Sequence, residues 1–255
     1  MKFSFWLRIS LAAVLLTGQV ALAFGQAKSR VPALPALSVS SFAETNSTNA
    51  QAAAGKPTEI PIAKAPIPMR ILVQSPADTD TDLQIICLFR SDSSNTLHGS
   101  LVETNEKLKG LLDQIRKPTL FRGELGETLL LAPPAGSVAA KRVLIIGLGD
   151  SQSFTPERME LVGSILYREA NRLGAAHPFF APTVLDGGVT KYTTGQVSEQ
   201  VISGFLRAAH TEKILKDAGT SGGPIIQDLT YLAGPKYASS TQQGIEKSIA
   251  ADSGT

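Results

Sequence analysis

The stretch KRVLIIGLGDSQSFTPERMELVG, Lys141 to Gly163, decides how the chain is read. An apolar, β-branched run ends in two glycines, a short polar loop follows, and a helical pattern begins. Nucleotide-binding folds use this strand–turn–helix layout, with a G-x-G-x-x-G turn opening directly into the helix so that its first amides face the phosphates. Here Gly147 and Gly149 are followed by Asp150, Ser151 and Gln152, so the third glycine is missing. Asp150 would set a negative charge beside a phosphate, and the helix start is delayed to about Thr155. The sequence favours a turn that only redirects the chain, with glycines supplying backbone angles closed to other residues.

The same strand-and-helix grammar extends from Ile67 to Ala238. MRILVQSP, LQIICLF, TLLLAPP, RVLIIGLG, HPFFAPTVL and LTYLA are short apolar runs bounded by turn residues, which predicts six strands. Between them NEKLKGLLDQIR places Leu108, Leu111, Leu112 and Ile115 on one helical stripe. Thr155 and Pro156 predict a helix entry, with Met159, Val162, Leu166 and Ala170 on one face and Gly174 as the stop. A further helix is expected from about Gln196 to Lys216, with Val197, Val201, Phe205 and Ala208 or Ala209 inward and Gly219 after it. The alternation predicts an α/β three-layer sandwich, a mixed but largely parallel sheet flanked by helices.

The flanks read differently. Lys2 and Arg8 precede the apolar run ISLAAVLLTGQVALAF, which contains Ala21-Leu22-Ala23, so residues 1–23 read as a secretory signal peptide and the chain as exported, to a periplasm or beyond the cell. An uncleaved segment would be the chain's one membrane attachment. Residues 24–66, rich in Ala, Pro, Ser and Thr, read as a disordered linker, and residues 239–255 as a polar, weakly helical tail. The formal net charge is +2. Lys2 and Arg8 account for it, so the remainder is neutral and no nucleic-acid partner is expected. The single cysteine, Cys87, lies in an apolar run and reads as a buried thiol that can form neither an internal disulfide nor a cysteine-based metal site. The sequon Asn46-Ser47-Thr48 matters only in a glycosylating host.

Taken as an ensemble, FRGELGETLLLAPPAGSVAAKRVLIIGLGDSQSFTPERMELVGSILYREANRLGA resembles the amino-terminal domain of the leucyl (cytosol) aminopeptidase family. Phe121, Gly123, Gly126, Glu127, Lys141, Arg142, Val143, Gly147, Gly149, Thr155, Pro156, Glu157, Gly163 and Ala170 carry the likeness. It continues more weakly from Met69 to Ala251, where IIQDLTYLAGPKYASSTQQGIEKSIA resembles the family's last strand and the linker helix before its catalytic domain. The resemblance implies a macro-domain-like fold. It also implies that catalysis belongs to a separate domain of roughly 300 residues, where two zinc or manganese ions are held around an NTDAEGRL signature. That signature does not occur in these residues, so no catalytic residue, metal ligand or cofactor is assigned to them.

Other chemistry finds little support. DGGVTKYTTGQVS, Asp186 to Ser198, echoes a metal-binding stretch of the family, but Tyr192 stands where the metal-binding aspartate would be. A two-metal hydrolase needs several carboxylates converging on ions about 4 Å apart. His98, His177 and His210 are dispersed, with no H-x-x-x-H spacing, and no G-x-S-x-G elbow is present. Asp80 and Asp82 lack the glycine and glutamate of a calcium loop.

Macro domains bind ADP-ribose in a crevice at strand ends, and doubly wound sheets commonly hold ligands there. By that analogy Gly147, Gly149 and Asp150 after one strand, and Asp186, Gly187 and Gly188 after another, are the candidate ligand-binding residues. The leading expectation is an exported, non-catalytic binding or assembly module that self-associates or meets a protein partner through an apolar face on its last strand and terminal helix. Two alternatives stand beside it: part of a metal-dependent leucyl aminopeptidase completed by a catalytic domain, and an ADP-ribose or nucleotide-binding module.

Overall fold

The run Val143–Gly147 is buried at every position, the pattern of a strand covered on both faces. The computed structural model, which describes residues 57–91, 96–117 and 120–253, places it inside a seven-stranded sheet. The strands are β1 (Thr58–Ile62), β2 (Met69–Val73), β3 (Gln84–Leu88), β4 (Thr128–Leu131), β5 (Val143–Gly147), β6 (Phe179–Ala181) and β7 (Leu229–Leu232). Their order across the sheet is β1-β2-β7-β6-β3-β5-β4. The five central strands run parallel, and β1 and β4 close the edges antiparallel. The sheet is thus mixed and largely parallel, as the alternation of elements implies.

Alternate residues feed two cores. Ile85, Cys87, Leu144, Ile146, Phe180 and Tyr231 share a cluster with α3 (Arg158–Arg172), α4 (Thr194–Asp217) and α5 (Ala238–Asp252). Ile86, Leu88, Val143, Ile145 and Leu232 face the other way, toward α1 (Gly99–Lys107) and α2 (Leu111–Ile115). The result is three layers with the sheet in the middle. Met159, Val162, Leu166 and Ala170 of α3 are fully buried, matching the predicted stripe.

Four expectations need correction. First, β1 falls inside the stretch read as linker, where Thr58–Ile62 pairs with Val73–Met69. Pro61 and the short length hid it, yet proline is tolerated on an edge strand, where a missing amide donor costs little. Second, the single helix expected across NEKLKGLLDQIR is two, because Lys109 and Gly110 adopt positive φ of 55° and 79° and break it. Third, α3 begins at Arg158 rather than at Thr155, whose carbonyl accepts the Arg158 amide at 3.2 Å in a tight preceding turn. Fourth, the linker helix and tail expected over residues 239–255 form α5, which turns Thr241, Ile245 and Ile249 inward rather than offering an apolar face. β7 is an interior strand with all four residues buried. Neither it nor α5 presents the exposed apolar face expected there.

The helical layer is packed backbone to backbone. A Cβ on Gly163 of α3 would collide with the Val201 carbonyl of α4, and one on Gly204 of α4 would collide with the Glu160 carbonyl of α3. The Ser164 hydroxyl donates to the Gly204 carbonyl at 3.0 Å across the same crossing. On the other flank of α4, a Cβ on Gly244 of α5 would strike the Gly195 carbonyl, and the Ser198 hydroxyl donates to the Thr241 carbonyl at 2.9 Å. Because backbone rather than a flexible side chain opposes each glycine, relief requires the helices to separate. Gly204→Ala should therefore lower the unfolding free energy by about 1–3 kcal/mol, despite the roughly 1 kcal/mol that alanine gains over glycine within a helix. Gly222→Ala, in open space, should change it by less than about 0.5 kcal/mol. Urea unfolding of the two variants checks the contrast.

Candidate functional site

The Gly147–Asp150 turn is closed by protein. A Cβ on Gly147 would collide with the Glu124 carbonyl, while the Gly147 amide donates to Glu127 O at 2.7 Å and its carbonyl accepts the Gly126 amide at 3.0 Å. The Gly149 amide donates to Gly123 O, and its carbonyl accepts the Arg90 amide, both at 2.8 Å. The Asp150 carboxylate accepts the Gln152 amide at 3.0 Å and the Ser153 hydroxyl at 3.1 Å. The Glu127 carboxylate in turn accepts the Glu124 amide at 3.0 Å. These contacts hold the turn against the 122–127 loop, so the turn fixes strand β5 to its edge partner.

The carboxyl ends of β2, β6 and β7 do open onto a cavity, of about 390 Å³. Val73 to Pro76 form one wall, Ala181 to Asp186 a second, and Tyr231 to Pro235 a third, with Ser100 and Glu103 of α1, Tyr192, Val197 of α4, and Tyr237 and Thr241 at the start of α5. Of the six residues singled out from sequence, Asp186 lines this cavity. Gly187 and Gly188 line a smaller one, of about 240 Å³, together with His98, Ser151, Gln152 and Lys191. Gly147, Gly149 and Asp150 line neither.

Asp186 ties the cavity together. Its Oδ2 accepts the Ser100 hydroxyl at 2.5 Å, its carboxylate also meets the Ser100 amide, and its carbonyl accepts the His98 amide at 2.8 Å. It thus supplies a carboxylate to the first turn of α1, where the helix dipole favours negative charge. Burial raises the Asp186 carboxyl above its ordinary value, opposed by the Ser100 hydroxyl, the Ser100 amide and His98. Thr183, at φ 49°, continues the β3–β6 ladder with its side chain. Its Oγ1 donates to Cys87 O at 2.6 Å and accepts the Cys87 amide at 2.9 Å. Burial also pushes the Cys87 thiol far up, which leaves it without thiolate chemistry.

The remaining polar wall includes residues that the sequence reading did not single out. The Ser75 hydroxyl donates to Glu103 Oε2 at 2.5 Å, and Glu103 Oε1 lies 3.3 Å from Lys107 Nζ. Tyr231 is 2% exposed, and its buried hydroxyl has no hydrogen-bond partner among the described residues. The signal available was position alone: Ser75 and Tyr231 stand at the carboxyl ends of apolar runs, where α/β sheets hold ligands.

Tyr192, at the echo of the metal-binding stretch, donates its hydroxyl to Phe154 O at 3.2 Å. Among the described residues no group of three or more His, Cys, Asp or Glu side chains is placed to hold a metal ion. The histidines are dispersed: His98 lies 3.1 Å from Thr96 Oγ1, His177 Nδ1 lies 2.7 Å from Asp228 Oδ2, and His210 Nε2 lies 3.6 Å from Asp252 Oδ2.

Two predictions follow from these walls. An unpaired buried hydroxyl costs about 1–3 kcal/mol, so Tyr231→Phe should raise the thermal midpoint of the protein; a fall would show that the hydroxyl is satisfied. A raised native pKa means that the folded state keeps the Asp186 proton to higher pH than the unfolded chain. Its contribution is thus complete below pH about 4 and is lost as pH rises through the raised value. Asp186→Asn keeps an acceptor for Ser100 and cannot ionise, so the variant's stability relative to wild type should improve from pH 4 toward neutrality in paired denaturation curves.

Comparison with known proteins bears on what this architecture is. A probable cytosol aminopeptidase of Roseiflexus castenholzii is 26% identical over 181 residues, covering 70% of this chain and 33% of that protein. That of Alkaliphilus oremlandii is 23% identical over 141 residues, covering 55% of this chain and 28% of that protein. The chain thus spans about a third or less of the length of these curated relatives. Among solved structures, a tomato leucine aminopeptidase variant superposes with a TM-score of 0.50 at 19% identity, covering 69% of this chain and 35% of that one. An Oceanobacillus iheyensis macrodomain variant superposes with a TM-score of 0.51 at 12% identity, covering 78% of this chain and 97% of that one. The macro-domain-like fold is common to both. Residues 85–217 match the N-terminal domain of the cytosol aminopeptidase family, and the match takes in β3 through α4, the glycine-closed turn and the helical crossing described above; this chain belongs to that family.

Proposed function

We propose that the chain acts as a non-catalytic binding or assembly module of the cytosol aminopeptidase family, exported by its amino-terminal segment. The observation that carries the reading is an apolar surface at the free edge of β4. Leu129 and Leu131 pack into the core beside α1 and α2, so Leu130, which alternates with them, turns to the α3 side. Leu125, Leu130 and Leu161 are 39%, 42% and 43% exposed. Leu161 and Ile165 of α3 both reach the space beside Gly126, the residue after Leu125. Among the described residues β4 pairs only with β5, so the same edge offers backbone groups that no described strand pairs. Apolar side chains rimming an open strand edge favour association, because contact removes both liabilities from water.

Export rests on Lys2, Arg8, the apolar run that follows and Ala21-Leu22-Ala23, all outside the described residues. An aminopeptidase role for the chain as part of a larger assembly has support in the length of the relatives it matches, whose remaining two thirds or more it does not cover.

Light scattering at micromolar concentration should show a mass above that of the monomer, and Leu161→Glu should reduce it while leaving the circular dichroism spectrum intact. A strictly monomeric wild-type protein across that range would overturn the assembly reading.

A further inference from the structure

We infer that the occupant of the apolar surface beside β4 is a second copy of the same chain, held across a two-fold axis with α3 antiparallel to its counterpart. The inference rests on the self-association proposed above and adds to it a partner and a geometry. α3 is the outer helix of its layer. One flank meets α4 at Gly163 and Gly204, and the face beneath buries Met159, Val162, Leu166 and Ala170. The other flank is turned to solvent beside β4.

That flank carries a self-complementary stripe. Glu157, Leu161, Ile165 and Arg168 are spaced four, four and three residues apart, which keeps them on one side of a helix of 3.6 residues per turn. Glu157 and Arg168 are exposed, Leu161 is 43% exposed and Ile165 is half-buried. The order is acid, apolar, apolar, base. Turned end for end, the stripe offers base, apolar, apolar, acid, so two copies laid antiparallel set Glu157 against the partner's Arg168 and Leu161 against the partner's Ile165. Both pairings centre at the level of Val162 and Gly163, so one axis serves both. A two-fold interface requires this kind of self-complementarity, because each contact is made twice.

The charges at the two ends are available for such a partner. The other ionised residues of α3 are engaged within the chain: Glu160 meets Arg207, Glu169 meets Arg172, and Arg158 donates to Asp150 O at 3.2 Å and to Ser153 Oγ at 2.9 Å. Glu157 accepts a hydrogen bond from the Thr155 side chain, but among the described residues it meets no cation and Arg168 meets no carboxylate. The sheet fits the same axis. α3 connects β5 to β6, which runs parallel to it, so α3 returns against β5 and alongside β4, the antiparallel edge. An axis that reverses α3 therefore reverses β4 as well, and brings together two strand edges in the antiparallel sense that hydrogen bonding allows. Leu125 and Leu130 extend the apolar centre from helix to sheet, with the charges at its rim.

Sedimentation equilibrium of the purified chain tests the pairing with two charge reversals. In a symmetric dimer each reversal sets like charges together twice, so Glu157→Arg and Arg168→Glu should each weaken association by about tenfold. An equimolar mixture of the two variants should form a one-to-one dimer as tight as wild type, since every contact in it joins opposite charges. The double variant Glu157→Arg/Arg168→Glu should associate like wild type for the same reason, and both recoveries show that the fold survives the substitutions. An associating wild type whose single reversals associate as tightly, or whose mixture stays as weak as its components, would overturn the two-fold pairing while leaving self-association intact. A monomeric wild type would overturn both.

Discussion

The α4 helix lies with its backbone against a neighbour on each flank, and much of the architecture depends on that contact. Gly163 and Gly204 let α3 and α4 meet without side chains between them, and Gly195 and Gly244 do the same for α4 and α5. Close approach leaves room for the large residues of the same helices, Tyr167, Phe205 and Ile245, to turn toward the sheet, where they are buried. It also draws the starts of α4 and α5 together, with the Gly195 amide donating to Ser240 Oγ at 3.0 Å. Those starts stand over the ends of β6 and β7 and form part of the cavity wall. Widening the crossing by a methyl group would therefore act on the site as well as on the core.

Much of this was legible in the sequence where hydrophobic periodicity and turn chemistry agree. The run VLIIG is apolar throughout because both of its faces are covered, and the α3 stripe from Met159 to Ala170 repeats at helical spacing because one face is. At Gly147 and Gly149 two readings coexist in the sequence: a missing third glycine and Asp150 argue for a chain-turning role, while the position after a strand end suits a ligand. The structure adds the reason for glycine at position 147, the backbone of the 123–124 loop pressed against it.

What escaped was set by tertiary contact. TEIPI carries a proline and sits in a polar context, so nothing local distinguishes it from linker; pairing with Met69–Val73 makes it a strand. STQQGIEKSIAADSGT looks polar because α5 needs only a narrow apolar stripe, Ile245 and Ile249 with the small residues Ala238, Thr241 and Ser248, to pack on α4. The cavity was half visible. Asp186 stands beyond a strand end, a position legible in sequence, whereas Glu103 comes from a helix on the other layer and meets Ser75 across 28 residues of sequence. Pairings at that separation leave no trace in a single sequence.

Belonging to an aminopeptidase family does not make every domain of it a peptidase. The residues described here turn their carboxylates to structural work: Glu127 closes a loop, Asp186 serves a helix start, and Asp82 and Asp228 hold Arg142 and His177 at the amino ends of the strands. The role proposed for the chain is binding and assembly without peptide cleavage. Hydrolysis of leucine p-nitroanilide by the purified chain, with zinc or manganese added, tests it most directly. The account predicts release no faster than in buffer with metal alone, and metal-dependent turnover that co-purifies with the chain would contradict it.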